Sequence, residues 1–179
     1  NDYSKQFKNA NIYFIPRVNI NGLERNWRYL PCKSSVIKPY DINRNFGKDK
    51  NNKIINKILE IGSICDYIID FHEAFGFYKE TPNKTLGSTI IPNINKDAIN
   101  FAHYIVDEVN KNLNLKGFKQ FSFYNKTEVK HTHGWYYNYT DKKYILVEIT
   151  GKLNKQPLQL RQEQSYEILK IIFKKLSII

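Results

Sequence analysis

The chain has 179 residues, 28 Lys and Arg against 17 Asp and Glu, a formal charge of +11 and 41% hydrophobic residues. A single chain of this length buries a real core, and its apolar share excludes a disordered polymer. No apolar run approaches the roughly 18 residues that cross a bilayer, and no basic start followed by an apolar stretch marks a signal peptide. A cytoplasmic setting is favoured on that ground, and no membrane partner is expected. The charge speaks to solubility and non-specific binding. No basic run is long enough, or interleaved closely enough with aromatics, to indicate nucleic acid. The sequence contains no methionine, even at position 1. It is therefore expected to be a processed form or one part of a longer chain.

Residues 11–18, NIYFIPRV, form a β-rich apolar run stopped by NING and predict a buried strand. Residues 19–48 read as a long polar loop carrying Arg25, Arg28, Asn43 and Arg44. A loop that long inside a compact domain is usually functional. Residues 50–62 repeat Ile54, Ile58 and Ile61 at helical spacing and then meet Gly62. DYIIDFH, 66–72, reads as a short buried strand ending in His72, and STIIP, 88–92, as another. Residues 95–113 place Ala98, Ala102, Ile105, Val109 and Leu113 on one face behind a candidate Asn95 cap. Residues 118–133 read as strand and loop, KYILVEIT (143–150) as a buried strand, and 158–176 as a final helix with Leu169, Ile172, Phe173 and Leu176 facing inward.

Strands alternating with helices predict an α/β fold, a three-layer α/β/α arrangement around a mixed, mostly parallel sheet. Residues 1–179 show no internal repeat and no linker, so they read as one catalytic-type domain. Cys32 and Cys65 lack the spacing of a zinc ribbon or a redox pair. Cys65, beside an apolar strand, reads as a buried thiol, and a disulfide between the two stays open.

In such folds ligands bind outside the carboxyl ends of strands. Two apolar runs end on polar residues there, at His72 and Glu148. His72 suits a metal ligand or an acid/base group, and also a hydrogen-bonded core histidine. Asp70 shares its face of the strand and could orient the imidazole. A carboxylate in a buried strand, as at Glu148, is costly unless paired or functional, and partial desolvation suits a general base. Arg25 and Arg28 flank Trp27, and Arg44 follows Asn43 in YDINRNFG. Arginine binds carboxylates in bidentate fashion, so this loop reads as a clamp for a carboxylate, with solvated surface arginines as the plainer alternative. His131 and His133 in HTHGW would face one side of a strand as a metal pair, or stand as two surface histidines.

Taken together, these stretches resemble the zinc carboxypeptidases, including their amidohydrolase branch of succinylglutamate desuccinylases and aspartoacylases. IPRVNINGLERNWR is similar to the family's strand, turn and Arg-x-x-Arg loop, with Ile20 where the family's turn has proline. DINRNF resembles its Asp-Leu-Asn-Arg-Asn-Phe signature, and IIDFHEAFGF its Asp-x-His strand. GWYYNYTDKKYILVEIT resembles the segment from an aromatic turn to the catalytic glutamate.

The resemblance implies one zinc ion, with His72 as a ligand. It implies Glu148 as the general base and Arg28 as the group that stabilises the oxyanion. Asn43 and Arg44, with Arg25 in the same loop, would hold the terminal carboxylate. Tyr124, with Lys126 nearby, is the nearest candidate for the substrate-capping tyrosine. His133 aligns with the position that tunes side-chain specificity, implying an acidic or polar terminal residue. The family's other two zinc ligands come from a His-x-x-Glu motif before the first strand. NDYSKQFKNA holds neither residue type, so those ligands are expected from a segment absent here.

The reading that follows is zinc-dependent cleavage of a C-terminal amino acid from a peptide. A rival is deacylation of an N-acyl amino acid. A second rival is an inactive carboxylate-binding module, and a third is an autonomous metal site of His72, His131 and His133.

Overall fold

The computed structural model describes residues 10–20, 24, 28–30, 40–82, 84–125, 129–152 and 155–179. Arg25, Trp27, Cys32 and Lys126 lie outside the described residues, so the expectations placed on them, including the disulfide, do too. After a short 3-10 turn at Ile42–Arg44, the chain forms helix α1 (Lys53–Ser63) and strand β1 (Tyr67–Ala74). Strand β2 (Thr89–Pro92), helix α2 (Lys96–Asn112), a 3-10 turn at Gly117–Lys119 and strand β3 (Ser122–Phe123) follow. Helix α3 (His133–Tyr137), strand β4 (Lys143–Thr150) and helix α4 (Leu158–Lys175) complete the order.

The strands make one sheet in the order β1-β4-β2-β3. β1 runs parallel to β4 and β2 parallel to β3, while β2 and β4 are antiparallel. The sheet is mixed, with two parallel pairings out of three, as the element pattern predicts.

Local chemistry explains the helix boundaries. The Asn52 side chain accepts from the backbone N–H groups of Ile54 and Ile55, and Asn95 does the same for Asp97 and Ala98. Each cap satisfies donors that a helix start leaves orphaned. In β4, side chains alternate between two covered faces. Ile145, Val147 and Ile149 join Ala98, Phe101, Ile105 and Ile168 in the larger core under α2 and α4. Tyr144 and Leu146 face the other way, into a cluster with Ile91 and Tyr137, packed by Leu59 of α1. The expected layering follows: helices cover both sides of the sheet. No helix among the described residues is long and apolar enough to cross a membrane.

Three expectations need correction. Residues 11–18 form no strand, and each of them is exposed. A strand needs a ladder partner, and Pro16 lacks the N–H such a ladder would use. Residues 118–125 hold strand β3 and loop as expected, but HTHGW leads into helix α3 at His133 rather than lying on a strand. In α4 Ile172 is buried and Phe173 and Leu176 pack against the core as expected, but Leu169 does not join it, and the other buried positions are Gln164, Glu167, Ile168 and Ile171. Cys65 is half-buried, its thiol donating to the Ile61 carbonyl.

Candidate active site

The alternation that sends Ile145 and Val147 into the larger core sends Glu148 to the opposite face. In the parallel pairing His72 is the direct register partner of Glu148, and Asp70 the partner of Leu146. Asp70, His72 and Glu148 therefore emerge on one side, toward the carboxyl ends of β1 and β4. His72 Nδ1 lies 3.7 Å from Glu148 Oε1, and its Nε2 lies 3.4 Å from Asp70 Oδ2. Burial alone would make the imidazole harder to protonate. The two carboxylates outweigh that effect and push its pKa up to about 10.

Asp70 is the hub beneath this pair. Its Oδ2 accepts from His133 Nδ1 and from the Tyr144 hydroxyl, each at 2.9 Å. A carboxylate can only accept, so Nδ1 is the protonated nitrogen of His133. Burial would raise the Asp70 pKa, but the hydrogen bonds from His133 and His72 hold it well below the usual carboxylate range. The His133 ring stacks on Phe46 at 4.5 Å between centroids and meets Tyr137 and Tyr144 edge-on.

A cavity of about 400 Å³ opens at this end of the sheet, lined by Glu148, Arg28, Tyr124, Glu73, Lys84 and Lys152 among others. Arg28 reaches Asp41 through both Nε (3.0 Å) and Nη2 (2.8 Å). Asp41 in turn caps the 3-10 turn, its Oδ1 accepting from Asn43 N at 3.0 Å. One carboxylate thus ties the cavity-lining arginine to the DINRNF turn. The far wall comes from Phe75, Lys84, Thr85 and Leu86. Thr150 Oγ1 donates to the Gly76 carbonyl at 2.7 Å, and Tyr78 N donates to the Gly87 carbonyl at 2.7 Å. A Cβ on Gly87 would sit 1.5 Å from that Gly76 oxygen, so only glycine permits this approach.

The structure thus brings Arg28, Tyr124 and Glu148 to one cavity, with His72 against Glu148. Other expected site residues stand elsewhere. His133 is buried behind Asp70 and does not line the cavity. The Asn43 side-chain oxygen accepts from His133 N at 2.7 Å, which holds the start of α3. Arg44 is exposed, and its Nη1 donates back to the Asn43 carbonyl at 2.6 Å. His131 adopts a positive φ of 66°, and its Nδ1 lies 3.1 Å from the Phe46 carbonyl. The two histidines of HTHGW therefore face different neighbours and form no metal pair.

Among the described residues no three His, Cys, Asp or Glu side chains are grouped to hold a metal ion. Both nitrogens of His72 face carboxylates, which leaves no lone pair directed at a metal. As they stand, these residues do not fit a zinc ion, and the autonomous site of His72, His131 and His133 is not formed. Sequence reasoning missed Glu73, Lys84 and Lys152 as cavity residues. Only Glu73, next to His72, carried a positional signal.

No family model matches the chain, and no curated protein matches it. Among solved structures, it matches the mDAP-bound and the tripeptide-bound forms of Helicobacter pylori Csd4, described as a D,L-carboxypeptidase and a cell shape determinant. Each match has a TM-score of 0.70 at 20% identity, covering 92% of this chain and 43% of that one. The fold is similar to that of Csd4. The product-bound form of Csd4 matches with the same TM-score and identity over 42% of its length. The chain spans less than half the length of these neighbours, and at this identity the likeness is one of fold.

These comparisons correct the family resemblance. No family model places the chain among the zinc carboxypeptidases. The structures that share its fold are described as a D,L-carboxypeptidase, not as a succinylglutamate desuccinylase or an aspartoacylase. The family assignment is not retained.

Proposed function

We propose that the protein is a peptidase-type hydrolase that releases the C-terminal residue of a peptide, with residues 1–179 forming one catalytic-type unit. The observation that carries this reading is the convergence of Glu148 and Arg28 on one cavity at the carboxyl ends of β1 and β4. It is further supported by the fold shared with Csd4, whose structures include tripeptide-bound and product-bound forms.

In this reading the Glu148 carboxylate takes a proton from the water that attacks the scissile carbonyl, then delivers it to the leaving amine. His72, cationic between Asp70 and Glu148, orients the Glu148 carboxylate. Arg28 donates to the developing oxyanion, a preorganised contact of the kind worth about 3 kcal/mol. Its pairing with Asp41 holds the guanidinium in place before substrate arrives. Arg28 also supplies a donor for the terminal carboxylate, and Tyr124, which lines the same cavity, closes over the released residue. Zinc would need His72 to turn one nitrogen away from its carboxylates, and further ligands from outside the described residues.

The test is an assay of peptides with a free or an amidated C-terminus, followed by mass spectrometry. Release of the terminal residue from the free acid alone, lost in Glu148→Gln, is the expected result. Binding of the free acid without cleavage would instead support the carboxylate-binding module, and cleavage of both peptides at equal rates would overturn the carboxypeptidase reading.

A further inference from the structure

Charges lining the cavity are unevenly balanced. Arg28 is paired with Asp41, Glu73 with Arg161 of α4, and Glu148 faces His72. The two remaining cavity cations, Lys84 and Lys152, make no ion pair with any described residue. They come from different elements: Lys84 from the 75–88 loop and Lys152 from the segment after β4.

Neither lysine stands on a loose support. Lys84 immediately precedes Thr85, whose hydroxyl oxygen accepts from Gly76 N at 3.1 Å. Lys152 follows Gly151, whose N–H donates to the Ala74 carbonyl at 3.0 Å. The Lys152 ammonium rests over the Phe75 ring, 4.7 Å from its centroid, an attraction that fixes its direction while leaving its charge available. A cavity of this size suits a small ligand fixed by a few polar groups.

We propose that Lys84 and Lys152 form an anion subsite that receives a carboxylate on the side chain of the residue to be released. The substrate class is thus a peptide whose C-terminal residue is acidic. This rests on the carboxypeptidase reading and adds the residue preference to it. It also moves the specificity position away from His133, which is buried behind Asp70. A second carboxylate meets two cations that form no ion pair with any described residue, whereas a neutral isostere leaves them as they were.

The test measures binding rather than turnover. An N-acetylated tripeptide ending in Glu and its Gln counterpart are titrated calorimetrically at low salt. The wild type is expected to bind the Glu peptide about threefold to tenfold more tightly, as two partly solvated ion pairs allow. The Lys84→Gln/Lys152→Gln variant is expected to lose that preference while binding the Gln peptide as before. Each single variant is expected to lose part of it, which keeps the test decisive if the double variant unfolds. Equal wild-type affinity for the two peptides, or a preference that survives both substitutions, overturns the subsite and leaves the carboxypeptidase reading standing. Binding of neither peptide overturns both.

Discussion

Asp70 and His133 are joined at 2.9 Å across 63 positions of sequence, imidazole Nδ1 donating to carboxylate Oδ2. The bond ties β1 to α3, and the Tyr144 hydroxyl brings β4 to the same oxygen. Replacing Asp70 with Asn keeps the shape but removes the charge that both histidines face. The unfolding free energy is expected to fall by about 2–4 kcal/mol in urea titrations, the range for breaking a largely buried pair. NMR titration should also show the His72 pKa dropping toward its ordinary value.

The two groups set opposite pH limits. The His72 pKa is raised from 6.5 to about 10. Its stabilisation is fully present below about pH 6.5 and is lost as pH rises through about 10. Asp70 is depressed below its ordinary 3.8, so its contribution is present above that value and is lost as pH falls. Thermal midpoints should hold a plateau between about pH 4 and 6.5 and decline on either side. In His72→Gln the alkaline decline should shrink.

Glu148→Gln tests the proposed general base. The substitution is nearly isosteric, so circular dichroism should match the wild type. Release of the C-terminal residue should slow by about 10²- to 10⁴-fold, chiefly in kcat. Arg28→Gln should cost about 10²- to 10³-fold if it serves the oxyanion. A change in KM alone would limit Arg28 to ground-state binding.

Gly87→Ala should disturb the cavity wall without touching the polar groups. The added carbon meets the Gly76 carbonyl oxygen and the Thr150 hydroxyl, neither of which can retreat without breaking its hydrogen bond. A loss of about 1–3 kcal/mol in unfolding free energy is expected. Faster amide exchange through residues 75–88 would locate the damage.

Much of the scaffold was legible because its signals are local. The Asn95 cap, the helical spacing of Ala98, Ala102, Ile105 and Val109, and the apolar KYILVEIT run each declare themselves within a few residues. His72 and Glu148 were legible as polar interruptions at strand ends. The 11–18 run misled for a physical reason: β-propensity marks a segment able to pair, but not whether a partner edge is joined to it. His133 misled because its environment is long-range, set by Asp70, Phe46 and Tyr144. Lys84 and Lys152 were invisible among 28 basic residues, since only the closure of the 75–88 loop against the end of β4 brings them to one opening.

The pairing of β1 with β4 makes the meeting of His72 and Glu148 an all-or-nothing property. A one-residue slip of either strand sends its whole inward set of side chains to the opposite face, so no graded misalignment can leave His72 near Glu148 at reduced efficiency. Partial activity in a preparation would then report a mixture of correctly and wrongly zipped molecules rather than a uniformly weakened one. Fidelity of strand pairing and competence of the site would be measured by the same number.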